Sequence, residues 1–356
     1  MTGRRLFAVV LISICAMAPA MAQKFVYGSD FDYLFDNREF DVAGEKYMQS
    51  QTFHTAILRG EAGLSFNESD RTVHKIILGG SVVRDFSGSF FTDKNFFEAS
   101  LYYMAAFKES DGRYFEAVAG AYPRALIKGR YSRAMWSDAY AFHDVNKEGV
   151  LLRYGKGGFD AELGCDWMGS YGPNSRERFQ VFSSGSWTIT RDFSAGWSGS
   201  FYHFATSQVA KNVIDNHLLA PWLKYDLSRL PLQELSLQAF LLAGYQRSRE
   251  IDRKAALPLG AEFIFRAKKW NVCLQNSLYT GDNLLVYYDY PAPEGGTYAS
   301  NLYLGETTYK GFYDRVELIW APNLTKEVKL EVVAAFHYDA TGYQGCQQIV
   351  RLCSMF

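Results

Sequence analysis

Along residues 159 to 168, apolar and polar positions alternate without a break. Phe159, Ala161, Leu163, Cys165 and Trp167 fall on one side, and Asp160, Glu162, Gly164 and Asp166 on the other. A period of two marks a strand whose two faces meet different surroundings. The same alternation sets Val328, Leu330, Val332, Ala334 and Phe336 against Lys329, Glu331 and His337, and sets Phe97, Leu101, Tyr103 and Phe107 against Glu98, Ser100 and Tyr102. Helical spacing fits neither segment. Read this way, the pattern predicts strands at 25–35, 52–66, 74–85, 95–107, 114–122, 148–154, 159–168, 177–189, 193–204, 217–227, 233–247, 258–266, 270–279, 312–321, 327–338 and 348–356. The connections between them sort by parity: odd-numbered ones run from 8 to 32 residues, even-numbered ones from 3 to 7.

Short turns at one end and long loops at the other are what a membrane-spanning antiparallel β-barrel shows, whereas a β-sandwich has no reason to sort its loops. The expected fold class is therefore all-β, a closed barrel of about 16 strands with 14 as the alternative count. Closure is what lipid demands, because every N–H and C=O in hydrocarbon needs a partner and a closed sheet leaves no edge. Composition agrees. The chain carries 24 Tyr, 27 Phe and 7 Trp, yet its mean hydropathy is only −0.16. Outside the N-terminus no apolar run approaches the ~18 residues of a membrane helix. Rings near strand ends, among them Phe25, Tyr27, Phe66, Phe107, Trp167, Trp187, Phe201, Trp222, Trp270 and Trp320, are expected to form the aromatic girdles at the two lipid interfaces.

Lys and Arg number 37 against 38 Asp and Glu, a balance that points away from a nucleic-acid partner. At the N-terminus Arg4 and Arg5 precede an apolar run from Leu6 to Met17, and Ala20-Met21-Ala22 stands before Gln23. This reads as a secretory signal peptide over 1–22 with cleavage at Ala20, Ala22 and Gln23, followed by one barrel over 23–356. Of the remaining cysteines, Cys165, Cys273, Cys346 and Cys353 have no metal-type spacing. Neither metal nor cofactor is expected, and pairing of Cys346 with Cys353 is left open.

The A-x-A signal, the sixteen two-faced strands and a terminal segment with Val350, Leu352 and Phe356 on one face resemble the outer-membrane β-barrel proteins of Gram-negative bacteria, porin-like in size. The segments Pro123-Arg124, Trp136-Ser137-Asp138 and Gly281-Asp282-Asn283 more loosely resemble barrels of the Bacteroidota. The resemblance implies a place in the cell outer membrane, contact with its lipid, and Phe356 as an assembly signal for the barrel-insertion machinery. Ser354 departs from that signal, standing where an apolar residue is usual. It also implies passive passage of a small hydrophilic solute through the barrel.

Sixteen strands leave an aqueous lumen, so the inward residues and the long loops decide the chemistry. Loop 123–147 follows the fifth strand, the position from which the constriction loop of general porins folds inward. It carries Arg124, Lys128, Arg130 and Arg133. These are expected to face Glu116, Asp160, Glu162 and Asp166 of the fifth and seventh strands, so that opposite charges across a waist orient dipolar solutes. Loop 280–311 is rich in Tyr, Pro and Gly, suited to stacking on sugars or to meeting a partner. His337 and Asp339, two apart at a strand end, are the weak catalytic candidates, as a carboxylate-oriented base of an omptin-like surface protease. A non-enzymatic channel is the leading expectation, with a ligand-binding or accessory barrel as the alternative. The sequence leaves the oligomeric state undetermined.

Overall fold

A computed structural model describes residues 23–69, 71–86, 95–227 and 231–356. The basic and apolar N-terminal segment, with Ala20 and Ala22, lies outside the described residues, and Gln23 opens the first strand. Seventeen strands make one antiparallel sheet. They are β1 (Gln23–Phe40), β2 (Gln51–Ser69), β3 (Thr72–Asp85), β4 (Asn95–Lys108), β5 (Tyr114–Pro123) and β6 (Asn146–Lys156). There follow β7 (Phe159–Gly169), β8 (Arg178–Thr188), β9 (Phe193–Phe204), β10 (Ile214–Asp226), β11 (Glu234–Ser248) and β12 (Asp252–Ala256). The last are β13 (Leu259–Lys269), β14 (Val272–Gly281), β15 (Gly311–Trp320), β16 (Val328–Asp339) and β17 (Gly342–Met355). Among the described residues two short α-helices, α1 (Asp138–His143) and α2 (Ala299–Leu302), lie in connections.

Each strand pairs with its neighbours in sequence, and β1 closes the ring against β17 from Asp30↔Met355 to Phe40↔Gly345. β12 is a flap on β11, which itself pairs β13 from Glu234↔Lys268 to Ala243↔Leu259. The wall therefore has 16 strands, each corresponding to a segment that period two selects.

The faces are inverted relative to a water-soluble protein. Leu58, Leu78, Leu101, Leu163 and Leu241 point outward and stay exposed, whereas Ser81, Ser100, Ser184, Ser198, Glu162 and Asp166 point inward and are buried. In β7 the parity is the one the alternation requires: Leu163 and Trp167 face out, Glu162 and Asp166 face in. Trp187, Trp270, Trp320, Phe25 and Tyr27 stand exposed on the outer surface. Trp222 does not join them. It has the parity opposite to Leu219 and Leu223, which face out, so it points into the barrel at 3% exposure.

The final connection also differs from expectation. Instead of a loop over 339–347, β16 turns into β17 through 340–341, with a register shift between His337 and Tyr338. The run Thr-Gly-Tyr-Gln-Gly-Cys-Gln-Gln at 341–348 reads as loop because it is polar. In the barrel it is wall, with Gln344 and Gln347 buried on the inner side. Cys346 pairs across from Glu39 and Cys353 from Asp32 on the same strand. At about 3.4 Å per residue that separation is far beyond disulfide reach, and both thiols are free.

Candidate functional site

The inner wall is not left to water alone, because the connection between β5 and β6, here L3 (124–145), runs around it. L3 is tied at its root by Arg124 Nη1, which donates to Asp144 Oδ2 at 2.7 Å while its guanidinium lies 4.1 Å above the Trp136 ring. The buried Lys147 bridges Asp144 at 2.6 Å and Asp166 at 2.7 Å. From this root the loop visits the wall in order. The backbone N–H groups of Lys128 and Gly129 donate to Glu162 of β7 at 3.0 and 2.9 Å, and Tyr131 OH donates to it at 2.7 Å. Arg130 N donates to Ser184 Oγ of β8 at 3.1 Å, and Ser132 Oγ donates to Glu262 of β13 at 3.4 Å. Arg133 reaches Glu317 of β15 at 3.1 Å, Asp138 accepts from Arg351 of β17 at 3.2 Å, and His143 Nε2 meets Thr55 Oγ1 of β2 at 3.2 Å.

Local chemistry makes this circuit. Gly129 passes so close to Glu162 that an added Cβ would collide with the carboxylate and lie 2.6 Å from Ser184 Cβ. Ser137 accepts from Tyr140 N at 3.0 Å and so caps α1, which sets Asp138 in the helix's first turn. Burial alone would raise the Asp138 carboxyl; the guanidinium groups of Arg133, Arg351 and Arg315 outweigh it and hold it well below its usual value. Burial and the adjacent Glu162 push the Tyr131 hydroxyl far up, so it stays a donor. Arg133 also pairs with Asp138 at 3.2 Å, and Arg315 pairs with Glu306 at 3.0 Å and Glu317 at 2.9 Å. The result is one ion network joining L3, β15, β17 and a second loop.

That second loop is L7 (282–310), between β14 and β15. Tyr290 stays exposed, but the loop buries Leu285, Tyr287, Tyr298, Leu302 and Tyr303 inside the barrel against Tyr202, Phe204 and Ile214. Tyr202 OH donates to Asn301 O at 2.8 Å, Asn216 Nδ2 to Leu302 O at 2.9 Å, and Tyr303 OH to Gln246 Oε1 at 2.6 Å. L3 and L7 also hold each other: Ser137 N donates to Leu304 O at 2.8 Å, and Glu306 N to Arg133 O at 2.9 Å. The approach is close enough that a Cβ at Gly305 would strike Ala134 O. The signal for this was available in the inward parity of Tyr202, Phe204, Trp222, Phe240 and Leu242, apolar side chains that an open aqueous lumen would leave wet.

The expected confrontation of four cations with four carboxylates takes a different form. Glu162 and Asp166 do meet L3, but through its backbone and through Lys147. Glu116 pairs with Arg153, and Asp160 accepts from Tyr114 OH at 2.6 Å, so both are engaged on the wall. Arg124 is used within the loop root, Lys128 Nζ donates to Ala125 O at 2.6 Å, and Arg133 turns to the opposite wall. His337 and Asp339 both point inward without forming a dyad. His337 Nδ1 meets Tyr313 OH at 2.7 Å, while Asp339 accepts from Lys46, Tyr47, Thr341 and Gln344. Val350 and Leu352 lie in β17, and Phe356 hydrogen-bonds back to Ser29 in both directions while its ring remains exposed.

No family model and no curated protein sequence matches the chain. Among solved structures it is similar to Salmonella typhi OmpF in complex with daunomycin, 10% identical over 95% of this chain and 99% of that one, with a TM-score of 0.53. It is also similar to Acinetobacter baumannii OccAB3, 7% identical over 94% of this chain and 99% of that one, with a TM-score of 0.51. The likeness is one of fold, a closed antiparallel barrel of 16 strands.

Proposed function

We propose that the chain is an outer-membrane channel through which small hydrophilic solutes pass by a path that L3 and L7 narrow. The observation that carries this reading is the circuit of L3 around the inner wall of a barrel whose outer surface is apolar. A loop pinned to successive strands restricts a lumen by a fixed amount without adding another layer of sheet. The exposed Leu and Trp belt would face lipid, the long loops would face outward, and Phe356 at the end of the closing strand would be read by the barrel-insertion machinery. A leader over 1–22, as the sequence pattern suggests, would fit the same route.

The mutual clasp of L3 and L7 favours a second reading, a barrel that binds a ligand or serves a larger assembly rather than conducting. Swelling of proteoliposomes in isotonic arabinose or glycine separates the two. A channel should make vesicles swell measurably faster than protein-free ones. Swelling no faster than in empty vesicles would leave the binding or accessory barrel.

A further inference from the structure

Arg130 differs from the other cations of L3. Arg124 and Arg133 are matched by carboxylates, and Lys128 is folded back on its own loop. Arg130 has no carboxylate partner among the described residues. Its backbone is fixed in both directions by Ser184, whose hydroxyl accepts from Arg130 N at 3.1 Å and donates to Arg130 O at 3.0 Å. Its guanidinium sits 5.3 Å from the centre of the inward Trp222 ring and donates one N–H to Gln238 Oε1 at 3.3 Å. The side chain stays accessible to lumen water although protein surrounds it on most sides. The rest of its fork is open.

The two side chains that hold the guanidinium each carry a further unused donor. Gln238 Nε2 and Trp222 Nε1 are buried and have no hydrogen-bond partner among the described residues. A buried N–H without an acceptor is costly, so its presence asks for one. The surrounding wall does not supply it. Lys224, opposite Gln238 in the register, is paired with Asp226 at 3.2 Å, and Arg266 is paired with Glu234 at 3.2 Å. The nearest carboxylates are thus already engaged, Arg266 adds like charge, and one guanidinium is left in excess. Donors without acceptors and a surplus of positive charge call for a group that is all acceptor and negative.

We propose that Arg130, Gln238 and Trp222 form a subsite in the lumen for a small oxyanion, a carboxylate or phosphate group, seated below L3 toward the short-turn end. The guanidinium fork matches two oxygens of such a group, and the indole offers an apolar floor. This deepens the channel reading, since it names the class of solute favoured along the path, and it can be tested apart from conduction.

The test uses the full chain refolded in detergent, with folding checked by heat-modifiable migration. Binding of inorganic phosphate and of acetate is titrated calorimetrically at constant ionic strength. Arg130→Gln should weaken binding about tenfold, the loss of one charge-assisted contact. Arg130→Lys should recover part of it, and Trp222→Phe should weaken it severalfold with the charge unchanged. Lys128→Gln, which alters the same loop charge outside the subsite, should leave it intact. Phosphate bound in preference to acetate assigns a phosphoryl group, and the reverse a carboxylate. Equal losses in Arg130→Gln and Lys128→Gln, or no Arg130-dependent binding, would overturn the subsite. Arg130-dependent binding in a barrel that fails to swell vesicles would sink the channel and keep the subsite.

Discussion

Arg315 shows how much the loop arrangement depends on single side chains. It is 4% exposed, points inward from β15, and is shared by Glu306 of L7 and Glu317 of its own strand. Replacing it by Met keeps most of the volume but removes one of the two cations that these carboxylates share. Arg133, 3.1 Å from Glu317 and 3.9 Å from Glu306, is then left to balance both of them together with Asp138. Breaking a buried pair from one side costs about 3–5 kcal/mol, so Arg315→Met should lower the urea midpoint of the refolded barrel by a corresponding amount. A midpoint within error of the parent would mean that the network is solvated and carries little energy. At this scale the sequence was readable by parity, which placed Glu162 and Asp166 on the inner face. Trp222 was misread because proximity to a strand end suggested a girdle, when its position relative to Leu219 and Leu223 already required an inward ring.

Among the elements, L3 is held by contacts of different kinds, and one responds to pH. Burial lowers the pKa of His143 from its ordinary 6.5, against a hydrogen bond to Ala139 O that favours the charged form. A depressed imidazole stays neutral in the docked loop where a released one takes up a proton. Docking is therefore complete above about 6.5 and loosens as pH falls below it, until the docked imidazole itself is protonated. Amide exchange at Lys128 and Gly129, corrected for intrinsic rate, should accelerate between pH 7 and pH 5 in the parent and much less in His143→Gln. Equal acceleration in both would assign the effect elsewhere. The strands were legible because an apolar outer face and a polar inner face impose a period of two over most of each segment. The last turn was not, because the inward polar residues Gln344 and Gln347 imitate a loop. The inward fold of L7 is not written in L7 itself, whose tyrosines follow no period; its trace in the sequence is the inward apolar side chains of the wall, Tyr202 and Phe204 of β9 and Ile214 of β10 among them, far away in the chain.

For the whole molecule, the barrel and its two inward loops form a single mechanical unit. L1 (41–50) joins it at the rim, where Lys46 and Tyr47 donate to Asp339 at 2.9 and 3.0 Å and the Tyr47 carbonyl accepts from Thr307. The wall provides an apolar exterior, L3 runs around its inner side, and L7 packs inside the barrel beside it. Single-channel recording in planar bilayers tests this arrangement most directly, comparing the full chain with a variant in which 288–301 is replaced by a short Gly-Ser linker. Discrete ohmic steps are expected for the full chain, and steps at least about twofold larger for the variant, since a barrel of this strand number is wide once its loops are removed. An absence of steps in both proteins, or steps of equal size, would contradict a channel narrowed by L3 and L7.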